Sequence, residues 1–243
     1  MTTVGFSPCA IIPTYDNPDT VGPVVERVRT WLQDVIVVDD GSRQRGRRSV
    51  EALTALTGVR VHRRGRNGGK GAAVKDGFRI AHGLNFTHAL QVDADGQHEL
   101  EDIPLFLAAA RAHPRALILG APLFDASAPT VRRIGRQITR FWTNIETFGK
   151  RVIEDPMCGF RVYPLGAAIA ADAKGNAMDF DPEIAVLLVW RNVPVVNLPT
   201  RIRYLPGEAG GVSHFRKVRD NALTSWMHTR LVFGAILRLV NRT

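Results

Sequence analysis

The chain is poor in cysteine, in lysine and in long apolar runs, and each shortage closes off a class of protein. Two cysteines in 243 residues, Cys9 and Cys158, cannot build a disulfide framework, so a reducing, cytoplasmic setting is expected. A membrane span needs about 20 consecutive apolar residues. The most apolar late run, 231–237, is closed by Arg230 and Arg238, so no crossing of a bilayer is expected. Residues 1–13 lack the basic stretch and long apolar run of a secretory signal. Only five of the 32 cationic side chains are lysine. The remaining charge sits on the guanidinium fork that suits phosphate, although codon bias produces the same excess. A composition 45% hydrophobic and 23% charged excludes disorder over most of the chain and leaves room for a sizeable core.

The formal net charge of +9 is unevenly placed. Residues 43–66 carry eight arginines and one acid, 130–151 six bases and one acid, and 214–243 six bases and one acid. The three stretches total +17, which leaves the rest of the chain at −8. Anionic partners on some surfaces and a cation site on another would account for such a pattern. A nucleic-acid binder is the rival that charge alone suggests, helped by Val61-His62-Arg63-Arg64-Gly65-Arg66. Clustered carboxylates and the lack of a recognised binding signature argue against it, and no nucleic acid is expected as a partner.

Short β-branched runs at 9–12, 35–38, 59–62, 89–92 and 116–119 alternate with helical patterns at 18–32, 50–56, 71–82 and 100–111. That alternation predicts an α/β fold, a mostly parallel sheet flanked by helices, with ligands at the carboxyl ends of the strands. The second half reads as a basic helix over 131–148, a loop at 155–159, a helix near 182–191, a strand at 193–198 and a last helix beginning near Phe215. No internal repeat or Ser/Gly linker divides the chain. One domain over 1–213 is expected, with a donor half to about 120 and an acceptor half beyond it, followed by a basic amphipathic helix over 214–243.

The polar residues cluster where strands end. Pro13-Thr14-Tyr15-Asp16-Asn17 and Val37-Val38-Asp39-Asp40-Gly41-Ser42 offer a ring face and carboxylates to a nucleoside, although each alone reads equally as turn chemistry. Asn67-Gly68-Gly69-Lys70-Gly71 precedes a helix, as a loop approaching a diphosphate would, but has neither P-loop nor Rossmann spacing. The sharpest signal is Asp93-Ala94-Asp95-Gly96-Gln97-His98. Positions two apart on an extended chain point the same way, so Asp93 and Asp95 can present two carboxylates to a hard divalent cation, with His98 as a further ligand or phosphate contact. Asp155-Pro156-Met157-Cys158-Gly159-Phe160-Arg161 sets a carboxylate and a phosphate-clamping guanidinium around a glycine turn, and Asp181 or Glu183 is placed to deprotonate a hydroxyl.

In their order, Pro13-Thr14-Tyr15, Val38-Asp39-Asp40-Gly41-Ser42, Asn67 to Ala73, Asp93 to His98 and Cys158-Gly159-Phe160-Arg161 resemble the family 2 glycosyltransferases of GT-A fold. The set is most similar to the polyprenyl (dolichyl) phosphate mannosyl- and glucosyltransferase branch. The resemblance implies inverting transfer from a nucleotide-sugar donor to a polyprenyl phosphate or other lipid-linked acceptor. It implies that Pro13, Tyr15, Asp39, Asp40, Lys70, Asp93, Ala94 and Asp95 hold the donor, and that Asp93 and Asp95 bind Mg²⁺ or Mn²⁺. Arg132, Arg133, Arg136 and Arg161 would face an acceptor phosphate, with His214 in the late stretch. That stretch, 206–214, keeps glycines and a serine but not the arginine and lysine usual in the branch. A hydroxyl acceptor would need a base, and Asp181, Glu183 and Asp155 are the candidates. A nucleotidyltransferase is the nearer rival, yet 11–18 has neither its glycine-rich loop nor its catalytic Arg or Lys.

From Phe215, steps of three and four reach Val218, Ala222, Trp226, Thr229, Phe233, Ile236 and Val240, flanked by arginines. Such a helix suits an anionic membrane surface, which places the protein in the cytoplasm, peripheral to the inner face of the membrane. Packing on its own domain or on a second copy in a homo-oligomer would suit the same stripe.

Overall fold

The computed structural model describes residues 5–123, 130–202 and 217–241. Among these, seven strands form one sheet in the order β3-β2-β1-β4-β6-β5-β7. The strands are β1 (Pro8–Thr14), β2 (Val35–Asp39), β3 (Val59–Arg63), β4 (His88–Gln91), β5 (Leu117–Leu123), β6 (Arg161–Pro164) and β7 (Val195–Arg201). Strands β1 to β4 run parallel, β5 pairs β7 in parallel, and β6 lies antiparallel between β4 and β5. The helices are α1 (Val21–Arg29), α2 (Gln44–Ala52), α3 (Lys70–Gly83), α4 (Ile103–Ala112), α5 (Thr130–Glu146), α6 (Leu165–Ala170), α7 (Phe180–Trp190) and α8 (Lys217–Val240).

The continuous apolar runs have a simple cause: both faces of the sheet are covered. Cys9, Ile11, Ile36 and Val38 point into a core shared with α3, α6, α7 and α8, whereas Ala10, Ile12, Val35 and Val37 point into one shared with α1 and α4. Gly77 lets α3 settle on β1, since a Cβ there would stand 2.5 Å from Ile11.

Three elements differ from the sequence expectation, one of them the short helix α6, which no predicted element covers. Strand β6 was not anticipated, because Arg-Val-Tyr-Pro begins on a charge and ends on proline, and only its burial between two strands makes it central. Helix α2 begins six residues before the predicted 50, across the arginine run; it buries only Gly46 and Val50 and so shows little apolar periodicity.

Helix α8 docks through Met227, Leu231 and Ala235, the face opposite the stripe read from sequence. That stripe stays exposed, with Trp226 at 62% and Phe233 at 64%. Two polar ties hold the docked face. His228 Nδ1 lies 2.7 Å from Glu146 Oε1 on α5, and Arg230 lies 3.1 Å from Glu183 Oε1 on α7. Among the described residues no helix is long and apolar enough to cross a membrane.

Cys9 and Cys158 are both buried and unpaired, and burial pushes each thiol up to about 12. At pH 8 the thiolate fraction is then about one in ten thousand. Iodoacetamide should therefore modify neither cysteine in the native protein and both after unfolding, as read by intact mass.

Candidate active site

The site lies at the carboxyl edge of β1, β2 and β4, where the chain leaves the sheet. At the end of β2, Asp39 and Asp40 are both buried but differ in their work. Asp39 Oδ1 accepts the Ser42 N–H at 2.8 Å and closes its own turn. Asp40 accepts the N–H groups of Gly68 at 2.9 Å and Gly69 at 2.7 Å, and takes a further bond from Arg64, which also reaches Asp76 on α3. Asp40 therefore clamps the glycine loop to the sheet. The loop needs glycine at 69, where φ is +100° and a Cβ would collide with the carbonyl oxygen of Asn176. That same oxygen accepts the Ala72 N–H at the start of α3. Pro13 is buried in register with Val38, and Tyr15, half-buried, follows where β1 ends.

The clamp delivers Lys70 to the centre of the edge. Its ammonium stands 2.7 and 2.9 Å from the two oxygens of Asp93 and 2.8 Å from Asp181 Oδ2. Burial alone would lower the ammonium pKa, but the facing Asp181 and Asp93 carboxylates outweigh it and raise it. Asp93 shows the complement: burial would raise it, yet Lys70 and His98 hold it well below the usual carboxylate range. Asp95 is pushed the other way, up, by burial and by the charge of Asp93. Two carboxylates that repel in this fashion are what a cation relieves. The Asp93 Oδ1 atom is buried against the Lys70 ammonium at 2.7 Å, so a cation taken by this pair would share that carboxylate with Lys70. These residues fit a divalent cation held by the aspartate pair. His98 Nε2 instead sits 3.4 Å from Asp93 Oδ2, with its ring stacked on Phe160. Among the described residues no three His, Cys, Asp or Glu side chains converge as a metal site, and His98 stands as a neighbour of Asp93.

Gly159 packs directly beneath this pair. A Cβ there would stand 2.6 Å from Lys70 Nζ and closer still to Asp93 Oδ2. The sequence marked Gly159 as a turn; its role is close approach. Arg161 differs more sharply from expectation. It is fully buried, and its guanidinium donates to the carbonyls of Cys158, Pro156 and Asp181 at 2.5, 2.6 and 2.7 Å. Arg161 thus supports the floor of the site and offers no fork to an acceptor phosphate. Gln91 and Tyr163 complete that floor: Gln91 donates to Asp181 Oδ1 at 3.1 Å and accepts from the Tyr163 hydroxyl at 3.3 Å. Neither carried a sequence signal beyond lying next to a motif.

The three candidate bases are dispersed. Asp181 belongs to the Lys70 cluster. Glu183 is buried, accepts the Gly175 N–H and pairs with Arg230. Asp155 pairs with Arg136 and accepts the Met157 N–H at 2.8 Å. Arg133 is exposed on α5, Ala94 is buried with its carbonyl taken by Thr20, and the Arg132 side chain and His214 lie outside the described residues.

A mostly parallel sheet with a turned-back β6 and an acidic pair at its carboxyl edge defines a glycosyltransferase of GT-A architecture. Residues 9–167 match the model of Glycosyl transferase family 2, and the chain belongs to that family. It is 27% identical over 207 residues to an uncharacterized protein of Methanocaldococcus jannaschii, covering 80% of this chain and 87% of that one. It is also 27% identical over 197 residues to the dolichol-phosphate mannosyltransferase of Pyrococcus furiosus, covering 78% of this chain but 54% of that enzyme. Among solved structures, glucosyl-3-phosphoglycerate synthase from Mycobacterium tuberculosis, in complex with Mn²⁺ and UDP-glucose, superposes with a TM-score of 0.68 at 13% identity, over 96% of this chain and 79% of that one.

Adding a methyl group at 159 displaces Asp93 and Lys70 while leaving the surrounding backbone its conformation. Gly159→Ala should lower kcat for donor turnover by about a hundredfold, the effect of an ångström-scale misplacement, with an unchanged circular dichroism spectrum.

Proposed function

We propose that the protein transfers a sugar from a nucleotide-sugar to a phosphate-bearing acceptor carried at a membrane surface, a polyprenyl phosphate or other lipid-linked acceptor. The observation that carries this reading is the Asp93–Lys70–Asp181 cluster beside Asp95. It sets a fixed positive charge and two donor-facing carboxylates at one point of the edge. In this reading Tyr15 stacks on the base, Asp39 and the backbone around Pro13 orient the nucleoside, and Lys70 approaches the diphosphate. Asp93 and Asp95 would hold Mg²⁺ or Mn²⁺, which when bound neutralises charge on the departing diphosphate. The relatives that bear dolichol-phosphate in their names support the acceptor class.

The candidate bases bear on the acceptor as well. Asp181, Glu183 and Asp155 each face a cation and are at most 6% exposed. A hydroxyl acceptor would need one of them free to take a proton. A phosphate acceptor is already an anion and attacks the anomeric carbon without a base, which agrees with three occupied carboxylates. The chemistry is then a single in-line displacement with inversion. The exposed row of α8, flanked by Arg219, would lie along the membrane face that presents the acceptor.

The test is a panel of nucleotide-sugars incubated with Mn²⁺ and either a membrane lipid extract or soluble phosphorylated acceptors, with products identified by mass spectrometry. A glycosylated lipid phosphate is the expected product; transfer to soluble acceptors alone would contradict the lipid assignment. Asp93→Ala and Asp95→Ala should each reduce release of nucleoside diphosphate by at least about a hundredfold while the thermal transition persists. Full activity of both variants after chelation would remove the metal assignment.

A further inference from the structure

Away from the donor edge, a cavity of about 300 Å³ opens between α5 and the 149–153 loop, lined by Gln137, Arg140, Phe141, Asn144, Arg151 and Ile153. Two of its walls are guanidinium groups, and no acid lines it. Among the described residues neither Arg140 nor Arg151 has an ion-pair partner. Of the acids adjoining these segments in sequence, Asp155 and Glu146 are already committed to Arg136 and His228, and Glu154 is exposed and does not line the cavity. The loop that carries Arg151 is built rather than slack. Asn144 Oδ1 accepts the Arg151 N–H at 3.1 Å, the Asn144 carbonyl accepts the Gly149 N–H at 2.8 Å, and Asn197 donates to the Val152 carbonyl at 2.8 Å. These bonds hold Arg151 at a φ of +50°, a conformation that non-glycine residues adopt at a cost.

The apolar side of the cavity continues beyond it. Phe141, 60% exposed, belongs both to the cavity and to a row with Ile134, Ile138 and Ile145 spaced by four, three and four residues along one face of α5. All four are more than 40% exposed. A basic, acid-free cavity beside an exposed aliphatic row matches an anionic headgroup with its acyl chains attached. Stretch 130–151 is +5 in a chain of +9, so a second copy of the same face would meet it with like charge, whereas an anionic bilayer is complementary.

We propose that this cavity is a binding site for the phosphate headgroup of an anionic phospholipid, with Arg140 and Arg151 as the phosphate ligands and the Phe141 row inserted at the acyl boundary. It contains no group of the donor edge, so it stands or falls separately from the transfer reaction. Arginine forks grip phosphate by paired N–H donors, and the aliphatic row supplies the apolar contact that a free phosphate ester would not use.

The experiment is sedimentation of the full chain with vesicles of phosphatidylcholine, with and without phosphatidylglycerol, alongside calorimetric titration with glycerol phosphate. Wild type should partition onto the anionic vesicles. The variant Arg140→Ala/Arg151→Ala should bind them about thirtyfold more weakly, the worth of two basic groups at a charged surface. Arg47→Ala/Arg48→Ala, which removes the same charge from the exposed side of α2, should leave vesicle binding unchanged. Both positions in the cavity are exposed, so an unaltered melting temperature is expected. Equal partitioning of the cavity variant and wild type, or an equal loss in the α2 variant, would overturn the proposal. So would arginine-dependent binding of glycerol phosphate without any difference on vesicles, which would make the site one for soluble phosphate esters.

Discussion

One ammonium between two carboxylates organises this molecule. Lys70 faces Asp93 from the end of β4 and Asp181 from the start of α7, so a single side chain ties the two halves of the sheet's carboxyl edge together. Several unusual residues nearby serve that contact. Asp40 and Arg64 hold the glycine loop from which Lys70 emerges, Gly69 takes a backbone conformation that only glycine accepts without strain, and Gly159 leaves the space the ion cluster fills. Arg161 then supports the floor by satisfying three carbonyls of the turn and of α7. A buried cation paired this way contributes little net stability, because desolvation offsets the attraction. Its return is a fixed field at the point where a diphosphate would develop charge.

Helices α7 and α8 are wired to the same region. Glu183 joins Gly175 to Arg230 of α8, and Lys75 donates to the carbonyls of Ala173 and Gly175. The loop thus held supplies, through Asn176, the carbonyl that meets the start of α3. A displacement of α8 would therefore be felt at the glycine loop through a short chain of contacts. Placing the exposed row of α8 outward and its polar ties inward lets one helix face a surface and still brace the site.

Much of this was legible in the sequence, for reasons that can be stated. Strands β1, β2, β4 and β5 were visible because both faces of the sheet are covered there, which makes short continuous apolar runs, and the exposed edge strand β3 was visible from its alternating Val59 and Val61. The acidic pair at 93 and 95 was visible because it follows such a run. Strand β6 was not, since a buried arginine and a proline bracket it and only its neighbours make it a strand. The same blindness misplaced Arg161: an arginine after a glycine turn reads as a phosphate clamp until the carbonyls around it are seen. Asp40 resembled a nucleoside contact, yet its hydrogen bonds go to residues 24 to 29 positions away, a separation that no local pattern encodes. His98 sits beside Asp93, but its ring is claimed by Phe160.

The central claim is that donor turnover depends on the Lys70 charge held between Asp93 and Asp181. The most direct measurement is kcat/KM for nucleoside diphosphate release by Lys70→Met, which keeps the length of the side chain and removes its charge, with the preferred nucleotide-sugar and Mn²⁺. A fall of about a hundredfold or more is predicted, the scale of losing one preorganised charge at a developing anion. A variant that folds normally and keeps the wild-type kcat/KM would contradict the account.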